Sequence, residues 1–267
     1  MMIMHPQLGS ELVAEIVAPG SPDHAAARAL QRVCFARACA MKPDAYLDIV
    51  DSCPEQTIPI VVRWRQTTAD PGQLVGAIRL ELPGATIIES VVRFAPTSSA
   101  CARLARRTVA ELGGFAIADG LTSIRILDII DIMALAVVQA ARRAGITWLW
   151  LFPRKTLMPL FHAHIDGVLP PYRFTLCPDV IGWEENERLQ LVRQLGVKGL
   201  EVAPTRLPVV YEMAVTTLAE DAARRLALVS QRRQQLDLAA FRTALRRAYA
   251  TICMELDHAN TARRRAS

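Results

Sequence analysis

Val109 to Phe152 constrains the fold more than any other stretch, because it reads as strand, short loop, long buried helix and strand. Its opening run, Val-Ala-Glu-Leu-Gly-Gly-Phe-Ala-Ile, is an apolar strand that carries one carboxylate, Glu111, and two adjacent glycines, Gly113 and Gly114. After Ala118-Asp119-Gly120, the apolar residues Ile126, Ile129, Ile130, Met133, Val137 and Ala141 recur at three- and four-residue steps. That spacing predicts a helix of about five turns. Gly145 ends it, and Ile146 to Phe152 is a second buried strand. A helix that joins two such strands forms a crossover unit, which requires the strands to be parallel.

The rest of the chain predicts what surrounds this unit. A strand is expected near Glu11 to Val17, then a helix from Ala25 to Ala40, with Ser21 as cap and Pro22 at the first helical position. This helix has a basic face through Arg28, Arg32 and Arg37. Ile58 to Gln66 and Leu74 to Leu82 read as an antiparallel pair joined by the polar loop 67–73, and Arg79 projects to the face opposite Ile78 and Leu80. Thr86 to Phe94 reads as a third strand, followed by a short basic helix containing Arg103, Arg106 and Arg107. A strand ending at Leu176, an acidic-start helix from Trp183 to Leu195 and a last strand from Leu207 to Val215 complete a mixed sheet. We divide the chain into a domain over 1–217 and a basic helical extension over 218–267 that packs on it.

Charge and cysteine usage exclude several classes. The formal net charge of +5 resides in the tail, since residues 218–267 hold ten arginines against five acids and the remainder balances. Such a tail could attract nucleic acid, an anionic membrane surface as a peripheral contact or an acidic protein partner, or is a solvated helix face; of these, nucleic acid is not the expected partner. The six cysteines show no Cys-x-x-Cys pair and the first twenty residues no secretory pattern, so a cytoplasmic protein with reduced thiols is expected. His162, His164 and Asp166 alternate too closely for one helix face, and no metal is expected.

The element order resembles the GNAT acyltransferase superfamily, and its details resemble the branch of acyl-homoserine-lactone (autoinducer) synthases and long-chain N-acyl amino acid synthases. The similarity runs from about Ala25 to Met213. The basic helix with Arg32 and Phe35, the Asp48-Ile-Val-Asp51 sequence, Gly76-Ala-Ile-Arg79-Leu, and Phe94 with Glu111 seventeen residues later carry it. The resemblance implies an α/β fold: a GNAT-like mixed, mostly antiparallel sheet with a central parallel crossover, plus a C-terminal helical extension. It implies N-acyl transfer to a small-molecule amine from an acyl-phosphopantetheine thioester as cosubstrate, with no bound cofactor. It also implies that Phe35, Asp48 and Asp51 contact substrate, although turn chemistry accounts equally for the two aspartates. Two positions depart from the synthases. Gly114 stands where they carry arginine after the glutamate, and the tryptophan expected after the first helix is absent, Met41 lying near its place.

The residues themselves point to the same chemistry. Amide formation from a thioester needs a proton acceptor for the ammonium, donors for the carbonyl oxygen and an apolar slot for the acyl chain. Glu111, desolvated in its strand, suits the first role, with Arg79 as its catalytic companion fixing a carboxylate or as a structural ion-pair partner. Backbone N–H groups around Gly113, Gly114 and Phe115 suit the second where the parallel strands splay. Ile78, Phe94, Phe115, Trp148, Trp150 and Phe152 suit the third, or are ordinary core. The loop before the crossover helix, residues 118–125, has one glycine and an acid, a poor cradle for the pyrophosphate of coenzyme A. An acyl carrier protein is therefore the favoured donor, received on Arg103, Arg106 and Arg107 or on Arg154 and Lys155. The rivals are an autoinducer synthase using S-adenosylmethionine and a non-catalytic binding protein with a degenerate acyltransferase fold.

Overall fold

The structure, a computed structural model, describes residues 2–4, 11–39, 54–67, 69–86, 88–89, 92–121, 123–151, 174–177, 179–182 and 210–215, and single positions at 239, 243, 246, 247, 250 and 254. The elements in chain order are β1 (Met2–Met4), β2 (Glu11–Ile16), α1 (Pro22–Cys39), β3 (Thr57–Arg65), β4 (Gln73–Glu81), β5 (Arg93–Phe94), α2 (Ser99–Ala105), β6 (Val109–Ile117), α3 (Ser123–Arg143), β7 (Trp148–Leu151), β8 (Thr175–Leu176), β9 (Val180–Gly182) and β10 (Tyr211–Ala214). Among the described residues, eight strands form one sheet in the order β1-β2-β3-β4-β6-β7-β10-β8. Every pairing in it is antiparallel except β6 with β7, which is parallel and bridged by α3. The expected mixed, mostly antiparallel sheet with a central parallel crossover is therefore present.

Local chemistry places the helices. Ser21 Oγ accepts the His24 N–H at 3.2 Å, capping α1, whose first helical residue is Pro22. α3 lies on one face of the sheet, where Ile129, Ile130, Met133 and Val137 join Ile60, Val62, Ile78, Leu80, Ala110 and Leu112 in the main core. α1 lies on the other face, over Val61 and Ala77. Beside α1 on that same face, Ile88, Val92, Ala100, Val109, Trp150, Cys177 and Val180 form a second cluster.

Gly76 shows how closely α3 approaches. A Cβ there would lie 2.3 Å from Met133 Cε and 2.8 Å from Ile129 Cγ2. The methionine end yields readily but the β-branched Ile129 does not, so Gly76→Ala is expected to cost about 1 to 3 kcal/mol in urea unfolding. A neutral or stabilising result would mean that α3 is not seated this tightly.

The third strand expected over Thr86 to Phe94 is a correction. Among the described residues of this run only Arg93–Phe94 forms a strand, and it pairs with β9 outside the main sheet, so β4 lies directly against β6. Ile88 and Glu89 are helical, with the Glu89 N–H on Thr86 Oγ1 at 3.4 Å and the Val92 N–H on the Ile88 carbonyl at 2.9 Å. A local cap at Thr86 thus prevails over the β-branched composition of the run. The helix expected over 183–195 and the packing of the extension over 218–267 lie outside the described residues. The described positions of that extension are helical and exposed. Among the described residues, no helix is long and apolar enough to cross a membrane.

Candidate active site

The centre of the sheet carries charge where strands normally carry hydrocarbon. Arg79 pairs in register with Gly113, and Glu81 with Glu111, so these side chains share the face away from α3. All three are buried: Arg79 is 1% exposed, Glu81 0% and Glu111 4%. Arg79 Nη2 lies 3.3 Å from Glu81 Oε1. Glu111 Oε2 accepts the Ile88 N–H at 3.0 Å, so the capped turn that replaces the expected third strand serves to hold this carboxylate. Burial pushes the Glu81 carboxyl up to about 7 even though Arg79 pulls the other way.

A bulge sits beside this group. Between the pairs Ala77 with Ala116 and Arg79 with Gly113, β6 uses one more residue than β4, and Gly114 takes up the excess at φ 64°. Its carbonyl accepts from Gln31 Nε2 at 2.7 Å, tying α1 to the strand. A Cβ on Gly114 would meet Gln31 Nε2 at 2.4 Å and Arg79 Nε at 2.7 Å. The glycine is therefore fixed by backbone conformation and by space together. An arginine at this position has no room, which gives a physical basis for the departure seen in the sequence.

The pairing of β6 with β7 runs from Val109 opposite Trp148 to Leu112 opposite Leu151, where β7 ends among the described residues while β6 continues. On the α3 side of that point lies a small apolar pocket. Ile78, Leu112, Phe115, Met133, Leu149 and Met213 are among its lining residues. The charged group and the apolar pocket therefore occupy opposite faces of β6 and meet at the bulge.

The other residues singled out in the sequence are distributed as follows. Phe94 and Trp150 stack at 4.8 Å between centroids in the second cluster, away from the pocket. The Arg103 guanidinium lies 3.9 Å above the Trp148 ring and pairs with Glu212, so it is built into the fold rather than offered at the surface. Arg106 and Arg107 are exposed, and Arg107 Nη2 donates to the Pro83 carbonyl at 2.8 Å. Phe35 is half-buried on α1, one turn beyond Gln31. Arg125, expected in the loop before the crossover helix, lies instead in the first turn of α3, over the Trp64 ring at 4.6 Å. Asp48, Asp51, Phe152, Arg154, Lys155, His162 and His164 lie outside the described residues. Cys177 is buried, which pushes its thiol up to about 12 and makes it a poor nucleophile. No group of three His, Cys, Asp or Glu side chains suited to a metal occurs among the described residues.

Sequence reasoning missed Glu81 and Gln31. The signal for Glu81 was available, because Arg79 and Glu81 are two apart in a strand and hence on one face. Gln31 gave none, since its contact lies 83 residues away.

No protein-family model matches the sequence, and neither does any curated protein. Solved structures align with the chain at low identity. An N-acyl amino acid synthase from uncultured soil microbes, FeeM, aligns at 14% identity over 85% of this chain and 99% of its own, with a TM-score of 0.45. The acyl-homoserine-lactone synthase LasI aligns at 12% identity over 79% of this chain and 95% of its own, with a TM-score of 0.42. The GNAT family N-acetyltransferase YhbS from Escherichia coli, solved with coenzyme A, aligns at 12% identity over 82% and 86%, with a TM-score of 0.36.

Proposed function

We propose that this protein is an N-acyltransferase that moves an acyl group from an acyl-phosphopantetheine thioester to the amine of an amino acid or related small molecule. One observation carries the reading: the buried Glu111, Arg79 and Glu81 and the apolar pocket lie on opposite faces of β6, beside the last described pair of β6 with β7. An acyl chain seated among Ile78, Leu112 and Phe115 would present its thioester carbonyl at the bulge. The amine would approach from the other face, where Glu111 orients the ammonium and takes its proton and Arg79 holds a carboxylate. The backbone around Gly113 to Phe115 would supply donors to the oxygen as it gains charge. Phe35, and Asp48 and Asp51 beyond the described residues, remain candidate acceptor contacts, and Phe94 and Trp150 support this half of the site as stacked core.

The donor we favour is an acyl carrier protein. The loop into α3 offers one glycine and an acid, and Arg125 in the first turn of the helix lies over Trp64, an arrangement unsuited to a pyrophosphate. Arg106 and Arg107 present exposed positive charge to an acidic carrier, to which Arg154 and Lys155 would add; Arg103 has its partner in Glu212. The cytoplasm, where such carriers meet reduced thiols like Cys34 and Cys101, is the compartment this implies.

Incubation with carrier-protein and coenzyme A thioesters and a panel of amino acids, read by mass spectrometry, tests the proposal. Amide formation is expected, faster from the carrier, and Glu111→Gln is expected to lower it by about 100-fold. No amide from either donor sinks the function. An undiminished rate in Glu111→Gln sinks the role of that residue, and methylthioadenosine release with S-adenosylmethionine would mark an autoinducer synthase instead.

A further inference from the structure

Glu81 has no task in the reaction outlined above, yet it lies wholly buried at its centre. Its register partner is Glu111, and directly opposed residues on antiparallel strands hold their Cβ atoms about 5 Å apart. The two carboxyls are not equivalent. Glu111 Oε2 accepts the Ile88 N–H at 3.0 Å. Neither Glu81 oxygen has a hydrogen-bond partner, and its ion pair is with Arg79, 3.3 Å away. One member of the pair is thus held by a backbone N–H, while the other keeps acceptor sites open in a dry environment.

We propose that Glu81 and Glu111 form a proton-sharing carboxyl pair in which Glu81 is the positioning residue and proton store, acting on the acceptor amine through Glu111. Its part in catalysis rests on the acyltransferase reading. An N–H bond of the acceptor ammonium breaks and the proton passes to Glu111 and on to Glu81, leaving Glu111 anionic beside the neutral amine. The amine forms the C–N bond to the thioester carbonyl, the C–S bond breaks, and the leaving thiolate takes the second amine proton. The stored proton then returns to solvent by way of Glu111.

The surroundings of Glu81 suit this role. Its own strand contributes Arg79, β6 contributes Glu111, and β3 places Thr57 opposite it. α1 brings Gln31 to the Gly114 carbonyl and His24 within reach of Arg79's charge; the His24 pKa is lowered by burial, then by Arg28 and by Arg79. Arg107, beyond α2, donates to the Pro83 carbonyl. Burial, acting against Arg79, raises the Glu81 carboxyl to about 7, the range in which a store can both load and empty.

Two readouts on the full chain test the pair. In infrared difference spectra of the wild type in mildly acidic buffer, a protonated buried carboxyl is expected to give a carbonyl band that Glu81→Gln lacks. In the amide-forming assay, the acidic limb of the wild-type kcat profile reports the filling of Glu81, and Glu81→Gln, which removes the store, is expected to move that limb down by about one pH unit or more. It is also expected to lower kcat at neutral pH at least about tenfold. A limb that stays in place while kcat falls equally at every pH would make Glu81 purely structural and overturn the proposal. So would a wild-type spectrum without the band, or a band that persists in Glu81→Gln. If the wild type makes no amide at all, the acyltransferase reading falls and the infrared result alone decides the pair. Glu81→Asp guards against misfolding of the first variant, since it keeps a carboxyl and is expected to retain the band while shifting the limb.

Discussion

Gly114→Val is expected to destabilise the protein by about 3 to 5 kcal/mol in urea unfolding, by adding a backbone cost to a packing cost. The backbone cost follows from the φ of 64°, which a β-branched residue strongly resists. The packing cost follows from the neighbours, because the new Cβ would sit 2.4 Å from Gln31 Nε2 and 2.7 Å from Arg79 Nε. Gln31 cannot swing away without releasing the Gly114 carbonyl, and Arg79 cannot without leaving Glu81. Gly120→Ala separates the two costs. Gly120 has nearly the same left-handed backbone, at φ 78°, with nothing within 4 Å of an added methyl, so it should lose only about 1 to 2 kcal/mol. If Gly114→Val loses no more than Gly120→Ala, the crowding at the bulge is refuted. Because the same contacts hold Arg79, any amide-forming activity is expected to fall with the stability.

The crossover was legible because its signals are local and mutually consistent. Ile129, Met133 and Val137 mark one helix face, Gly145 its end, and Trp148 to Leu151 a strand too apolar to lie anywhere but inside. Arg79 was legible for a similar reason, since alternation along β4 assigns its face once Ile78 and Leu80 are seen to be core. Residues 86–92 misled because Ile and Val favour strands only where a neighbouring strand is available. Here β6 occupies the edge of β4, and the Thr86 cap gives the backbone another solution. The partner of Glu111 was beyond sequence reasoning. Whether a buried carboxylate is met by an arginine, a backbone N–H or a second carboxylate depends on register, and the bulge at Gly114 sets that register. The same holds for Arg103, which reads as a surface charge until the fold brings Glu212 and Trp148 to it, the former across more than 100 residues of chain.

The stability of the folded state should fall as pH rises from about 4.5 to about 7, and Glu81→Gln should remove this component. Glu81 moves from an ordinary value of 4.5 to about 7 on folding, chiefly through burial. Over that interval the native state holds a proton that the unfolded chain has released. Stability contributed by this group is therefore complete below the unfolded pKa and lost as pH approaches the folded one. The shift corresponds to about 3 kcal/mol between mildly acidic and mildly alkaline solution. The measurement is the difference in unfolding free energy between wild type and Glu81→Gln as a function of pH. Removing the carboxyl opposite Arg79 also has its own cost, but that cost is the same at every pH and cancels from the slope. Parallel curves would mean that Glu81 titrates alike in both states. A wild type that gains stability relative to the variant as pH rises would mean that attraction to Arg79 outweighs desolvation. In that event Glu81 would be a structural anion throughout the working range, unable to accept a proton from its neighbour across the strands.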